Sequence, residues 1–306
     1  MADVKVSVVV TTARFGGLDI LYHSMQAQTI KEKFEVILVD EFYKERAALA
    51  KSFGFTEQGC QWKLTPKMLH FEFLHLPPRR ASSIYDDTAG YNTGIAAARG
   101  ELVVFLIDYL WIPPDYLEAH WNFHKAHPGW STSCYMDRYI PPPIKTEPYS
   151  LERDWWSIFP EEFTAERAAE FFAANEPVYR ERRGLRGIVH GDGTVEIPGD
   201  FAYMVGESVP METLKTLNGW DERYCGGYGS NDIDLGVRAN HVGHRFALNP
   251  NVKLRKMTLS HQAQIPGKAK PKVRTPEDNY RFFQARRQAI TEGRESPRVP
   301  KGWGLI

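Results

Sequence analysis

Three short apolar runs near the start of this chain each end in a polar residue, and that pattern restricts the fold more than anything else in its 306 residues. Residues 4–10 lead into Thr11-Thr12, residues 34–39 into Asp40-Glu41, and residues 102–107 into Asp108. Continuous Val/Ile/Leu runs of this length suit parallel strands covered on both faces, since alternation is needed only where one face meets water. Segments with helical character, 18–28, 44–52 and 91–98, separate the runs. Strand and helix in alternation imply an α/β fold with a mostly parallel central sheet, right-handed crossovers and flanking helices. Ligands of such sheets lie beyond the carboxyl ends of the strands, so Thr11, Asp40 and Asp108 are expected to converge on one crevice.

A second informative stretch is residues 218–238, NGWDERYCGGYGSNDIDLGVR. It reads as an exposed Trp-Asp-Glu turn and a glycine-rich loop running into a helix. Gly226, Gly227 and Gly229 give the loop backbone conformations closed to other residues, so it can wrap around a ligand. Ser230 or Asn231 is expected to cap the helix, with Asp232 in its first turn. The helix dipole favours an ionised carboxylate there, as a proton acceptor at neutral pH requires. Asp234 is expected to pair with Arg238 four residues on, a structural task.

Further helices are expected over 115–127, 160–175 and 278–291. A hairpin turn is expected at His190-Gly191-Asp192-Gly193, and residues 139–148, with three consecutive prolines, read as irregular. The stretch after residue 265 is basic and broken by proline, and the last dozen residues read as a loosely held tail. Lys plus Arg equals Asp plus Glu at 38 each, which gives no support for a nucleic-acid-binding surface. Cys60, Cys134 and Cys225 have no metal-ligand spacing, and a sparse odd count fits a reducing compartment. No apolar run reaches spanning length, so a cytoplasmic protein is expected. His120, His124 and His127 mimic a metal face by spacing, but no acid supports them. Trp155-Trp156 has the chemistry to stack on a sugar, against a plain division between core and surface.

The ordered set of residues 6–10, Glu35-Val36-Ile37-Leu38-Val39-Asp40, Asn92-Thr93-Gly94-Ile95-Ala96-Ala97-Ala98-Arg99-Gly100, Phe105-Leu106-Ile107-Asp108, Gly219-Trp220-Asp221-Glu222 and Asn231-Asp232-Ile233-Asp234 resembles a family 2 type glycosyltransferase of the GT-A fold. The resemblance covers roughly residues 4–261 and matches nothing in 136–198. It implies a GT-A domain over 1–264, with a nucleotide-binding half to 112 and an acceptor-binding half beyond, and a C-terminal extension over 265–306. It implies transfer of a sugar, with inversion, from a nucleoside diphosphate-sugar (a UDP-sugar above all) to a glycan or other hydroxyl acceptor. Thr11, Thr12, Asp40, Asn92 and Asp108 would meet the donor, Trp220, Asp221 and Glu222 the acceptor, and Asp232 would be the general base. Asp108 and His261 would hold a divalent metal, Mn²⁺ or Mg²⁺.

The sequence departs from the family pattern at three places. The metal element reads Asp108-Tyr109-Leu110 and lacks its second carboxylate, Asn231 precedes the base where an acid is usual, and Tyr91 stands where an arginine often precedes the asparagine. A metal site completed by diphosphate oxygens and a metal-free clamp drawn from Arg79, Arg80, Arg99, Lys268, Lys270 and Lys272 are the two alternatives for the leaving group. A binding protein that has lost the chemistry is the alternative function. A nicotinamide enzyme is set aside, because no Gly-x-Gly-x-x-Gly follows the first strand.

Overall fold

In the computed structural model of the protein, residues 3–13, 21, 24–44, 56–58, 61–63, 71–79, 87–108, 110–139, 165–177, 187–203, 205–257 and 272–306 are described. Val6, Val8 and Val10 of strand β1 (Val6–Thr12) enter one hydrophobic core, and Val9 enters a second on the opposite face. Covering on both faces is why the sequence shows no alternation. Each valine or leucine so buried contributes about 1.5–3 kcal/mol relative to exposure.

β1 lies between β2 (Phe34–Asp40) and β6 (Leu102–Ile107), parallel to both, with Thr12 opposite Asp40 and Thr11 opposite Ile107. Beyond β2, the hairpin β3 (Thr56–Gln58) and β4 (Gln61–Lys63) pairs antiparallel onto β5 (Glu72–Leu76), which is parallel to β2. On the other side β7 (Leu110–Trp111), β8 (Trp130–Tyr139), β9 (Ile188–Val189), β10 (Val195–Ile197), β11 (Glu207–Pro210) and β12 (Arg245–Met257) extend the sheet. The order is β3-β4-β5-β2-β1-β6-β11-β8-β12-β10-β9, with β7 against β12. The centre is therefore parallel, as expected, and both flanks are mixed. Antiparallel pairing of β11 with β6 and β8 carries the sheet into its second half.

Helix α1 (Asp87–Ala97) and α2 (Tyr116–Ala126) occupy opposite faces: Tyr91 and Ile95 join one core, and Tyr116, Leu117 and Trp121 the other. Helix α3 (Ala165–Ala174) places Phe172 against Trp111. Helices α4 (Met211–Leu217) and α5 (Asn231–His241) cover the α1 face, and α6 (Pro276–Thr291) packs on α5. Gly236 of α5 lies so close to the 199–201 turn that a Cβ would fall on the Gly199 carbonyl. Helix α6 begins with a capping box, Thr275 and Asp278 each satisfying the other's backbone N–H. The expected hairpin at 190–193 joins β9 to β10.

One expectation changes. The last residues are not a loose tail. Asn218, left-handed at φ 59°, donates to the Val299 carbonyl and accepts from the Ile306 N–H, while its own carbonyl accepts from Leu305. Satisfied backbone groups and a buried Val299 hold the end down, which residue type alone did not signal. Earlier in the same C-terminal stretch, α6 packs on α5. The expected features at 18–20, 45–52, 140–148 and 155–156, together with Cys60 and His261, lie outside the described residues.

His120 and His244 are buried and neutral. His120 Nδ1 meets Ser208 Oγ at 2.8 Å, and His244 bridges Ser131 Oγ at 2.8 Å and Thr213 Oγ1 at 3.1 Å. Burial pushes His120 down to about 3 and His244 down to about 4. The unfolded chain, whose histidines titrate near their ordinary value of ~6.5, binds these protons first as pH falls. Stability is therefore present in full above that value and declines below it, by about 1.4 kcal/mol per pH unit per histidine until the folded-state values are reached. Urea unfolding at pH 7, 6 and 5 is expected to show this decline, and His120→Asn to reduce its slope.

Candidate active site

The strand ends meet as the apolar runs predicted. Thr12 Oγ1 donates to Asp108 Oδ2 at 2.8 Å, joining β1 to the residue that follows β6. Asp40, opposite Thr12, is completely buried: its Oδ1 accepts from the Phe42 N–H at 2.8 Å, and its Oδ2 lies 2.9 Å from His75 Nε2. His75 is a partner the sequence did not point to, since a lone histidine in a short strand has no signal of its own. Asp40 thus secures the strand end against β5 and the turn after β2.

Helix α1 enters from the side. The Tyr91 phenol lies near the Thr11 side chain, and the carboxylates of Asp87, Asp108 and Asp232 all lie within its electrostatic reach. Its ring stacks on Trp220 at 4.6 Å and meets the edge of Phe105 at 5.4 Å. Asn231 Nδ2 donates to Asp87 Oδ1 at 3.2 Å, and Thr88 Oγ1 lies 3.2 Å from Cys225 Sγ. The start of α1 therefore joins the strand ends to the glycine-rich loop, with Asp108 and Asp232 both within electrostatic reach of Tyr91.

Asp232 stands in the first turn of α5, half-buried, with Oδ1 accepting from the Ile233 N–H at 2.9 Å. The capping expectation fails in detail. Ser230 is at the cap position with φ 66° and makes no side-chain cap, its carbonyl accepting from the Asp234 N–H instead. Asp234 pairs with Arg238 at 2.6 Å, as expected for its spacing.

Below the loop lies a buried charge network. Asp221 is bound by Arg223 at 2.7 Å and by Arg286 of α6, and Arg286 reaches Asp234 at 3.1 Å. Tyr224 donates to Asp234, Arg238 to the Gly219 carbonyl, and Glu295 binds both Arg223 and Arg286. Hydrogen bonds and charge from Arg223 and Arg286 hold the Asp221 carboxyl below the usual range against the opposing effect of burial. Arg286 was invisible as a site-supporting residue, because nothing in a helical arginine announces a partner 65 positions away.

The Trp220-Asp221-Glu222 turn, expected to be exposed, is buried at 1% exposure for each residue. Asn92 is likewise buried and works as a clamp: its amide N–H groups reach the Trp220 carbonyl and Glu222, and its oxygen accepts from the Trp220 N–H. Gly219, at φ 73°, leaves room for that clamp, since a Cβ would meet the Asn92 oxygen. Glu222 is bound by Arg79, which also takes the Gly304 and Leu305 carbonyls. Arg79 is thus committed to the chain end. Arg99 is at the wrong end of the sheet, paired with Glu35 at the start of β2 and with Glu72 at the start of β5. Lys272 lies 5.3 Å over the exposed Tyr228 ring, while Arg80, Lys268 and Lys270 lie outside the described residues. Leu110 is completely buried in the core that also holds Val10 and Leu106.

No family model matches the chain, and no curated protein sequence does. Solved structures do. The crystal structure of S. aureus TarS 1-349 superimposes with TM-score 0.51 at 15% identity, over 83% of this chain and 60% of that one. GalNAc-T7 with UDP, GalNAc and Mn²⁺ gives 0.57 at 13% identity, over 86% of this chain and 45% of that one. The chain spans about three-fifths of the TarS fragment's length and under half of GalNAc-T7. The likeness is one of fold: the chain has a GT-A fold.

Removing one member of a buried ion network leaves its partner charged and unsatisfied, at about 3–5 kcal/mol. Arg286→Ala is accordingly expected to lower unfolding stability by that order in urea titration. Arg281→Ala, on the exposed side of α6, is expected to shift it by less than about 0.5 kcal/mol.

Proposed function

We propose that this chain is a family 2 type glycosyltransferase, moving a sugar from a nucleoside diphosphate-sugar to an acceptor hydroxyl with inversion. The observation that carries the reading is the meeting of the strand-end residues Thr11, Thr12 and Asp108 with the helix-start carboxylate Asp232 around Tyr91. Four segments far apart in sequence converge on one place, at the carboxyl edge where α/β sheets bind ligands. A UDP-sugar is the preferred donor, since the similarly folded GalNAc-T7 is seen with UDP and GalNAc.

In this reading Thr11 and Thr12 meet the nucleotide, with Asp40 and His75 holding their strand end from behind. Asp232 takes the proton of the acceptor hydroxyl. The freed oxygen attacks the anomeric carbon from the face opposite the diphosphate, the carbon–oxygen bond to phosphate breaks, and the nucleoside diphosphate leaves. The helix N-terminus favours the ionised Asp232 that this requires. Trp220, Asp221, Glu222 and Asn92 contribute by fixing the loop, not by touching substrate.

A divalent ion seeks several hard oxygen ligands. Among the described residues no group of three potential ligands occurs, and the position two after Asp108 is a core leucine. Asp108 alone would leave such an ion to be completed by diphosphate oxygens and water. Two buried departures, Leu110 and Asn231, favour the second reading, a sugar-nucleotide or glycan-binding protein without turnover.

Asp232→Asn separates the possibilities. It is expected to abolish sugar transfer while leaving the dissociation constant for UDP within about twofold, because the base contributes to the transition state and not to donor binding. Undiminished transfer by the variant would remove Asp232 from its role. Absence of transfer or donor hydrolysis by the wild-type protein, with UDP still bound, would favour the binding protein.

A further inference from the structure

Arg255 of β12, half-buried, has no counter-ion among the described residues. Its guanidinium rests on two aromatic rings, with Cζ 4.7 Å from the centre of Trp111 and 4.5 Å from that of Phe172. Ring faces attract the cation without occupying the N–H groups in its plane. Nε is buried with no hydrogen-bond partner. Asp137 is the register partner of Arg255 on β8, yet its carboxylate is taken by Lys253 at 2.9 Å. An arginine held on an aromatic bed with its fork unused is suited to an anion that it can grip with two N–H groups, phosphate above all.

The strand places that fork near the donor residues. Trp111 of β7 pairs with Arg255, and it stands three residues after Asp108. At most about 11 Å of chain therefore separates Asp108 from the position opposite Arg255. Leu110, Met136 and Leu254 enter the core beneath α2, so their neighbours Trp111, Asp137 and Arg255 face the other side of the sheet. That is the side where Tyr135 packs against the core shared by Tyr91 of α1 and Leu235 of α5. A diphosphate bound there would meet the carboxylates Asp108 and Asp232 and needs a cation. Arg79 and Arg99 are engaged elsewhere. Arg255 is not.

We infer that Arg255 binds the diphosphate of the donor: its fork takes phosphate oxygens while the Trp111 and Phe172 rings hold its plane. In transfer the same contact stabilises the charge that develops on the departing nucleoside diphosphate. The inference rests on the donor-site reading above. It gives the phosphate end of the ligand to β12 and leaves base and ribose to the strand ends.

The test is isothermal titration of UDP, and of uridine at millimolar concentration, into the wild-type protein, Arg255→Met and Arg255→Lys. Uridine keeps the base and ribose and lacks the phosphates. Arg255→Met keeps an unbranched stem against the two rings and removes the charge. It is expected to weaken UDP about 10- to 100-fold, the effect of lost charge-assisted hydrogen bonds, and to leave uridine within about twofold. Arg255→Lys keeps the charge without the fork and is expected to fall between the two. Without ligand, Arg255→Met is expected to melt at or above the wild-type temperature, because a half-buried charge with no counter-ion does not stabilise the fold. A residue kept only for its ring contacts would lower that temperature and leave UDP affinity unchanged. Unchanged UDP affinity in Arg255→Met, or equal losses for UDP and uridine, would overturn the role of Arg255 and leave the donor site standing. Failure of the wild-type protein to bind UDP or any other nucleoside diphosphate would overturn the donor site itself, and this inference with it.

Discussion

The loop from Asn218 to Arg238 depends on four buried charges. Asp221 and Asp234 face Arg286 and Arg238 where water is excluded, and each ion is tolerable only because the others are present. Such a network is weak evidence for net stability but strong evidence for geometry, since displacement of any member exposes an uncompensated charge to a low-dielectric interior. Arg286 ties helix α6 to both ends of the loop, and between them the Gly226 carbonyl accepts from Val273 and Arg274 and the Gly229 carbonyl from Asn279. Asp232, two residues from Asp234, inherits that placement. The half-exposed carboxylate is steadied by its buried neighbour.

The sheet performs the same service on the opposite side of the crevice. Parallel register sets Thr12 opposite Asp40 and Thr11 opposite Ile107, so the polar residues after each apolar run arrive at one level. Tyr91 and Asn92, adjacent on α1, both hold the Trp220 turn, one by stacking on its ring and the other through its backbone. Helix α1 thus joins the strand ends to the Trp220 turn.

Much of this was legible in the sequence because it follows from local rules. Continuous apolar runs announced buried parallel strands, and the Asp234–Arg238 pair followed from helical spacing. What failed to show was what depends on distant partners. Trp220-Asp221-Glu222 looked exposed because two of its residues are charged, and only the arrival of Arg79, Arg223 and Arg286 makes burial affordable. His75 behind Asp40 and Tyr91 beside Thr11 carry no periodic signal either. Arg99 looked available because sequence does not reveal at which end of a strand its partner Glu35 stands. The tail misled for a related reason: its hold comes from backbone groups, which every residue type has.

That hold has a consequence for how the molecule is made. Asn218 is joined to Leu305 and Ile306, and Arg79 to Gly304 and Leu305 across more than two hundred residues. Contacts of such long range form late, after the entropy of closing the intervening chain has been overcome. On the ribosome, the strand-end half of the crevice can assemble while the Asp232 loop still lacks its anchors. Arg286 arrives with α6, and residues 299–306 then close on Asn218 and Arg79. A chain interrupted before that point would carry a nearly complete sheet and an unfinished site.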